Sequence, residues 1–326
     1  MIEFVTKRLV QAAVLLLVVT VIVFLSVYAI GNPADILVSP NASQAEIDRA
    51  IAAFGLDKPL WQQYWIFLSN ALQGDLGRSF VYNQPSISLI LQRFPATLEL
   101  ACVAMTIALV VGIPAGVYAG TCPDAVGARA LMGFSIIGFS VPGFWVGLML
   151  ILVFAVALGW VPSTGRGETV NILGFETSLA TADGWKHIIL PAINLSTYKM
   201  ALVMRLTRAG VKEILENDYV LFARAKGLHP VRILIVHVMK NVSIPLVTVI
   251  GLEFGSMLAL TVVTETVFAW PGMGKLMIDS LGALDRPVVV AYLMMTVCIF
   301  IFLNTVVDML YSLLDPRVRL VMREAQ

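Results

Sequence analysis

Uncharged stretches of about 20 residues or more recur along this chain. Each is long enough to cross the roughly 30 Å hydrocarbon core of a bilayer as a helix. The clear ones cover residues 9–30, 98–120 (with Glu99 at one edge), 134–158 and 288–307. Two weaker ones, 188–209 and 243–268, carry charge inside. Composition points the same way: of 326 residues, 59% are hydrophobic and 13% charged, against about 25% charged in a soluble domain. So few charges cannot coat a globule, and lipid must be the solvent for much of the surface. The expected fold class is an all-α membrane protein with six transmembrane helices.

Lys7 and Arg8 ahead of the first stretch imitate a signal peptide. The run that follows exceeds the roughly 7–15 apolar residues of a signal core. Residues 1–30 are therefore expected to form a short cytoplasmic tip and a retained first span. Orientation follows the bias of Lys and Arg in the connections. With the N-terminus inside, Arg129, Arg205, Arg208, Lys212, Arg224, Lys226, Arg232, Lys240, Arg317, Arg319 and Arg323 join Lys7 and Arg8 on the cytoplasmic side. Arg49, Lys58, Arg78, Arg93, Arg166, Lys186, Lys275 and Arg286 fall outside. The excess favours N-in, and an even number of spans returns the C-terminus to the same side.

The first outside segment, 31–97, is long and organised. Ser43-Gln44-Ala45-Glu46 has the form of a capping box, with Gly55 ending that helix. Asp57 and Pro59 suit a second helix start, with Trp61, Tyr64, Trp65 and Leu68 expected on one face. Packing on the membrane surface and docking of an external partner are both compatible with it. The remainder, 98–326, is expected to be a five-helix core with a cytoplasmic loop at 205–242. Small residues recur at four-residue spacing at Gly112, Gly116 and Gly120, at Gly143 and Gly147, and at Gly251 and Gly255. That spacing lets helix backbones approach closely in lipid. Pro114 and Pro142 are expected to kink their helices.

Several chemistries are not signalled. The net charge of +1, with no long basic run, gives no sign of a nucleic-acid partner. Cys102, Cys122 and Cys298 form no CxxC or Cys/His cluster. The first two lie about 30 Å apart along one apolar helix, far beyond disulfide reach. His187, His229 and His237 are scattered, and no metal site is expected. The nearest look-alike of a phosphate-binding loop, Gly272-Met273-Gly274-Lys275, has Ala269 where the first glycine is needed and Leu276 in place of the magnesium-binding hydroxyl. No catalytic residue is expected; if the protein moves something uphill, the energy must come from an ion gradient or from another chain.

The loop at 205–242 is the most informative polar region. Residues 205–215 read as a helical continuation of the fourth span. Asp218 can cap a short helix through Ala225 and suits its positive dipole end. Gly227 permits a left-handed stop, and Pro230 suits the first turn of the next helix. A short helix across the inner mouth of the bundle results, with Ala223 and Ala225 expected to let another surface approach.

Here the residues carry a resemblance. "ENDYVLFARAKGL" (216–228) followed by Ile244-Pro245 resembles the cytoplasmic signature loop of ABC importer membrane subunits, of the dipeptide/oligopeptide/nickel permease family. "GLDKPLWQQY" (55–64), "GDLGRSF" (74–80), "RFPATLEL" (93–100), "VGIPAG" (111–116), "SVPGFWVG" (140–147), "ILPA" (189–192), "TETVFAWPGMG" (264–274) and "DPRVR" (315–319) are similar along the rest of the chain. The likeness is to the first of two permease subunits, the type with a long external loop after span one. The broader signature begins Glu-Ala-Ala where this chain has Leu221, Phe222 and Ala223, a departure the peptide subgroup shares.

The resemblance implies a type I ABC importer-like bundle in a prokaryotic inner membrane. It implies as partners a second similar permease subunit, two ATPase subunits that bind the ATP and magnesium, and an extracytoplasmic solute-binding protein. Asp218, Tyr219, Ala223, Arg224, Ala225, Lys226, Gly227 and Leu228 would form the contact with an ATPase. "TETVFAWPGMG", holding Glu265, Trp270, Pro271, Gly272 and Gly274, would serve as an outer gate or docking loop; a plain interfacial turn is the alternative. Di- and oligopeptides are the leading cargo, with nickel chelates, opines and haem in the same family.

Charged residues inside spans are costly and default to functional hypotheses. Lys199 lies about 17 Å into its span from outside and Glu253 about 15 Å into the next from inside. Both are expected to line the central cavity, either as a pair or facing cargo. Glu99 and Glu265, near outer span ends, are expected to be interfacial, and Trp270 suits the headgroup zone. An ion-coupled secondary carrier using Glu253 and Glu265 as proton sites is the competing function, although no inverted repeat with broken helices is evident. An uncoupled channel subunit is the third.

Overall fold

The computed structural model describes residues 2–29, 58–172 and 174–314. The expected capping box at 43–46 and the "DPRVR" stretch at 315–319 lie outside the described residues. The chain divides into two compact units, Met1–Pro95 with Pro271–Ile301 and Ala96–Trp270 with Phe302–Gln326.

In the first unit, α1 (Ile2–Ala29) packs against α2 (Leu60–Leu72). Phe24 meets the rings of Tyr64 and Phe67 at centroid distances of 5.4 and 5.9 Å. Thr20 and the Tyr64 hydroxyl share a 2.9 Å hydrogen bond. Trp61, Tyr64, Trp65 and Leu68 fall on one helix, but Trp61 and Trp65 are 71% and 67% exposed. Tyr64 and Phe67, three apart, make the ring contacts with α1. The start of α3 (Ser86–Thr121), α9 (Met273–Gly282) and the start of α10 (Arg286–Leu314) complete this unit. Asp285, fully buried, accepts hydrogen bonds from the Ser79 hydroxyl and from Phe80 N at 3.1 Å. That carboxylate stitches the turn at 79–81 to the start of α10.

In the second unit, α6 (Ala182–Leu215) is the central element. It packs against α4 (Val126–Ser140), α5 (Gly143–Ala157, ending in a π-helical turn) and α8 (Pro230–Val267). The expected glycine stripe on α3 is used here. A Cβ on Gly116 would lie 2.6 Å from Met204 O and 2.6 Å from Thr207 Cβ. One on Gly120 would lie 2.8 Å from Val211 Cβ. Small residues therefore set how closely α3 approaches α6. Gly251 does the same against Val307, at 2.2 Å, whereas Gly143 faces open space.

Ser86–Thr121, Pro230–Val267 and Arg286–Val307 are long and apolar enough to cross a bilayer. The stretch expected as one kinked span at 134–158 is instead broken. α4 and α5 are bent by 108° at Val141 and Pro142 and form either one broken span or a re-entrant pair, so the described residues hold three such helices, or four if the pair is one span. The cause is local: the proline ring drives the preceding residue out of helical backbone, and Val141 sits at φ −89°, ψ 130°. α1 contributes an apolar helix over Ala13–Ser26. α6 is as long as the others but more polar, carrying Lys199, Arg205, Arg208 and Lys212.

Candidate functional site

The loop at 205–242 folds as its punctuation predicts, with one change. α6 runs on to Leu215, and α7 spans Asp218–Ala225. Asn217, in extended backbone, occupies the cap position and its side chain makes no capping hydrogen bond. Asp218, expected as the cap, is the first helical residue. Its charge still lies where the helix dipole is positive. Gly227 adopts φ 76°. The bonds from Gly227 N to Arg224 O (2.9 Å) and from Leu228 N to Ala223 O (3.3 Å) close the helix end. His229 and Pro230 then open α8, the His229 ring accepting from Val231 N at 3.3 Å.

One face of α7 is anchored. Val220 and Ala223 are buried in an apolar cluster with Val211, Ile233, Val238, Val242 and Leu246. Leu228 and Val117 pack at its edge. Ala223 therefore faces inward, against the expectation that it opens the surface to a partner. Ala225 is exposed. A polar strut adds to the anchor: Asn241 Nδ2 donates to the Tyr219 hydroxyl (3.1 Å) and to His237 O (2.7 Å).

The other face is open. Asp218, Tyr219, Arg224, Lys226 and Gly227 are exposed. Sequence reasoning passed over Leu221 and Phe222, which are 49% and 60% exposed. Lys226 Nζ stands 4.6 Å above the Phe222 ring. The signal was available, because these two positions replace Glu and Ala of the broader signature. The result is an apolar and cationic ridge on a helix whose other face is buried, and exposed apolar side chains on a short helix gain nothing in water.

Deeper in the unit, Lys199 and Glu253 come together as an ion pair between α6 and α8. Lys199 Nζ also donates to Ser256 Oγ at 2.7 Å and stands 5.3 Å above the Tyr198 ring. Ser256 Oγ donates to Glu253 O at 3.0 Å. The ammonium is buried with its partners close by, which lowers the cost of placing it in the bundle.

Glu99, Glu265 and Trp270, expected near the outer membrane interface, are each buried among protein partners. Glu265 is fully buried and accepts from Thr97 Oγ1 at 2.7 Å. Glu99 is 8% exposed and accepts from Arg166, from Ser178 N at 2.8 Å and from Ser178 Oγ at 2.5 Å. The connection between α5 and α6, with its hairpin of β1 (Val170–Ile172) and β2 (Phe175–Thr177), brings these partners in. Trp270 is also fully buried. Its indole donates to Ala96 O at 2.9 Å, and the Arg166 guanidinium lies 5.8 Å from its ring. The return after α8 is made by Ala269 at φ 46°, with Trp270 N bonded to Glu265 O at 2.8 Å. Pro271, Gly272 and Gly274 were expected to force it. Gly272 instead sits in extended backbone at the N-cap of α9, and Gly274 is buried in its first turn. Lys275 of the phosphate-loop look-alike is paired with Asp279 at 2.5 Å.

Among the described residues no group of His, Cys, Asp and Glu could hold a metal ion. The family described as binding-protein-dependent transport system inner membrane component matches residues 112–320, and its N-terminal counterpart matches residues 1–101. The glutathione transport system permease protein GsiC of Escherichia coli is 38% identical over 98% of this chain and 99% of its own. The di/tripeptide transport system permease protein DppB of Pseudomonas aeruginosa is 39% identical, with the same coverage of 98% and 99%. A chain of the inward-facing MetNI methionine ABC transporter shares the fold, with a TM-score of 0.53 and 18% identity over 70% of this chain and 96% of that one.

Proposed function

This chain belongs to the binding-protein-dependent transport system inner membrane component family, the permeases of ABC importers, and on that premise we propose that it forms half of an import path for short peptides. The two relatives named for glutathione and for di- and tripeptides support that cargo class. In this reading six spans place both termini in the cytoplasm of a prokaryotic cell, and 31–97 lies outside, ahead of the core at 98–326. A second, similar permease closes the path. A solute-binding protein delivers cargo from outside, and two ATPase subunits supply the ATP and magnesium chemistry that this chain does not signal.

The observation that carries the reading is α7. Its inner face is locked into the bundle by Val220 and Ala223, and its outer face offers Tyr219, Leu221, Phe222 and Arg224. A helix held in this way transmits a push to α6 and α8 without deforming. Lys199 and Glu253 then lie beside the path, holding those two helices together, and the 264–274 stretch forms its outer gate.

Affinity purification of the solubilised assembly tests the reading. Deletion of 222–229, or Gly227→Pro, is expected to abolish co-purification of an ATPase. An ATPase-free preparation that still accumulates peptide in vesicles would instead favour the ion-coupled carrier.

A further inference from the structure

A second site lies on the far side of α6 from the Lys199–Glu253 pair. At about 100° per residue, the nine positions between Lys199 and Arg208 put the two on opposite faces of the helix. There α4 and α6 enclose an open groove of about 740 Å³. Its floor is apolar, with Ile136 and Phe139 from α4 and Leu206 from α6. Arg205, Arg208 and Lys212 also line it, spaced three and four residues apart and so on one face of α6. Among the described residues no carboxylate is within ion-pair distance of any of the three. The Arg205 guanidinium rests 5.2 Å from the Phe139 ring.

Three cations without counter-charge beside an apolar trough fit an amphiphile with an anionic head. Arginine pairs bidentately with phosphate oxygens, and basic pockets between membrane helices select anionic headgroups. A peptide fits less well, since its backbone amides would lie against Ile136, Phe139 and Leu206 without hydrogen-bond partners. Depth agrees. Arg205 and Lys212 lie about 9 and 20 Å along α6 from Lys199. If Lys199 is at mid-depth, the three cations straddle the hydrocarbon boundary, about 15 Å from the midplane. The neighbouring surface of α4 is apolar and open, with Phe134 59% and Ile137 58% exposed.

We propose that this groove binds an anionic phospholipid, its phosphate held by Arg205, Arg208 and Lys212 and an acyl chain lying between α4 and α6. With the orientation proposed above, that lipid belongs to the cytoplasmic leaflet; the site and its test do not depend on that orientation.

Native mass spectrometry of the assembled transporter in neutral detergent reads this out without any transport measurement. The probes are dioleoyl phosphatidylglycerol, dioleoyl phosphatidylcholine and inorganic phosphate. Phosphatidylglycerol is expected to be retained about tenfold or more over phosphatidylcholine, and millimolar phosphate should not displace it. R205Q/R208Q should lower its retention to the phosphatidylcholine level, and R205K/R208K should keep most of it. Ala209→Trp fills the groove without changing charge and should also remove the adduct, which carries the test if the arginine variants fail to assemble. Equal retention of the two lipids would overturn the proposal, as would retention unaffected by R205Q/R208Q. Displacement by phosphate would reassign the site to a soluble anion. Absence of any adduct from the assembly would show that a neighbouring subunit fills the groove.

Discussion

Lys199 and Glu253 form an ion pair between α6 and α8, with side chains 6% and 27% exposed. Removing one partner strands the other charge, whereas removing both leaves an apolar contact. Lys199→Met is therefore expected to cost about 2 kcal/mol, less than a fully buried pair because Glu253 is partly open. Lys199→Met with Glu253→Met should fall within about 1 kcal/mol of the parent. Thermal unfolding in detergent measures both. The charge swap, Lys199→Glu with Glu253→Lys, should recover stability and most uptake. Recovered stability with dead uptake would mean that one of these charges meets the cargo.

The Arg166–Glu99 contact makes a stronger prediction. Both side chains are nearly buried, at 10% and 6% exposure. Glu99 also satisfies Ser178, and Arg166 donates to Glu176 O at 2.6 Å. Glu99→Ala is expected to cost about 3–5 kcal/mol, the range for breaking a buried pair. Limited proteolysis should then cut at 166–181, which the carboxylate holds in place. Resistance equal to the parent's would remove Glu99 from that role.

Glycine packing offers a matched pair. Gly116→Ala must push α3 away from Met204 and Thr207, at an expected cost of about 1–3 kcal/mol. Gly143→Ala meets nothing within 4 Å and should be neutral within about 0.5 kcal/mol. Equal melting temperatures for the two would contradict the close approach of α3 to α6.

α7 separates folding from contact along eight residues. Val220→Ala, facing the inner cluster, should lower stability by about 2 kcal/mol. Phe222→Ser, facing outward, should leave melting unchanged yet weaken ATPase association. A pull-down of the ATPase alongside a melting curve distinguishes them. Gly227→Val forces a branched residue to φ 76°, and about 1–2 kcal/mol of backbone strain is expected at the helix end.

Much of this architecture was legible in the sequence because it depends on local chemistry. The left-handed stop at Gly227, the helix start at Pro230 and the glycine stripe at 112–120 each follow from a residue and its near neighbours. Pro142 was legible as a distortion, but its size was not. A kink and a 108° break share the same local cause, and packing decides between them. The burial of Glu99, Glu265 and Trp270 was not legible for a different reason. Their partners, Arg166, Thr97 and Ala96, are 67 to 174 residues away in sequence. A charge near a span end gives no local sign of so distant a partner. Leu221 and Phe222 were read only as a departure from the broader signature; their exposure follows from packing, because Val220 and Ala223 already fill the inner face of α7.

Peptide uptake into vesicles bearing the complete assembly tests the central claim most directly. Vesicles holding this chain, its companion permease and the ATPase subunits, with binding protein outside and ATP inside, are expected to accumulate peptide. Accumulation should stop when the ATPase subunits are omitted and should be lost with Gly227→Pro. Accumulation driven by a proton or sodium gradient, without ATPase subunits and indifferent to Gly227→Pro, would contradict the account.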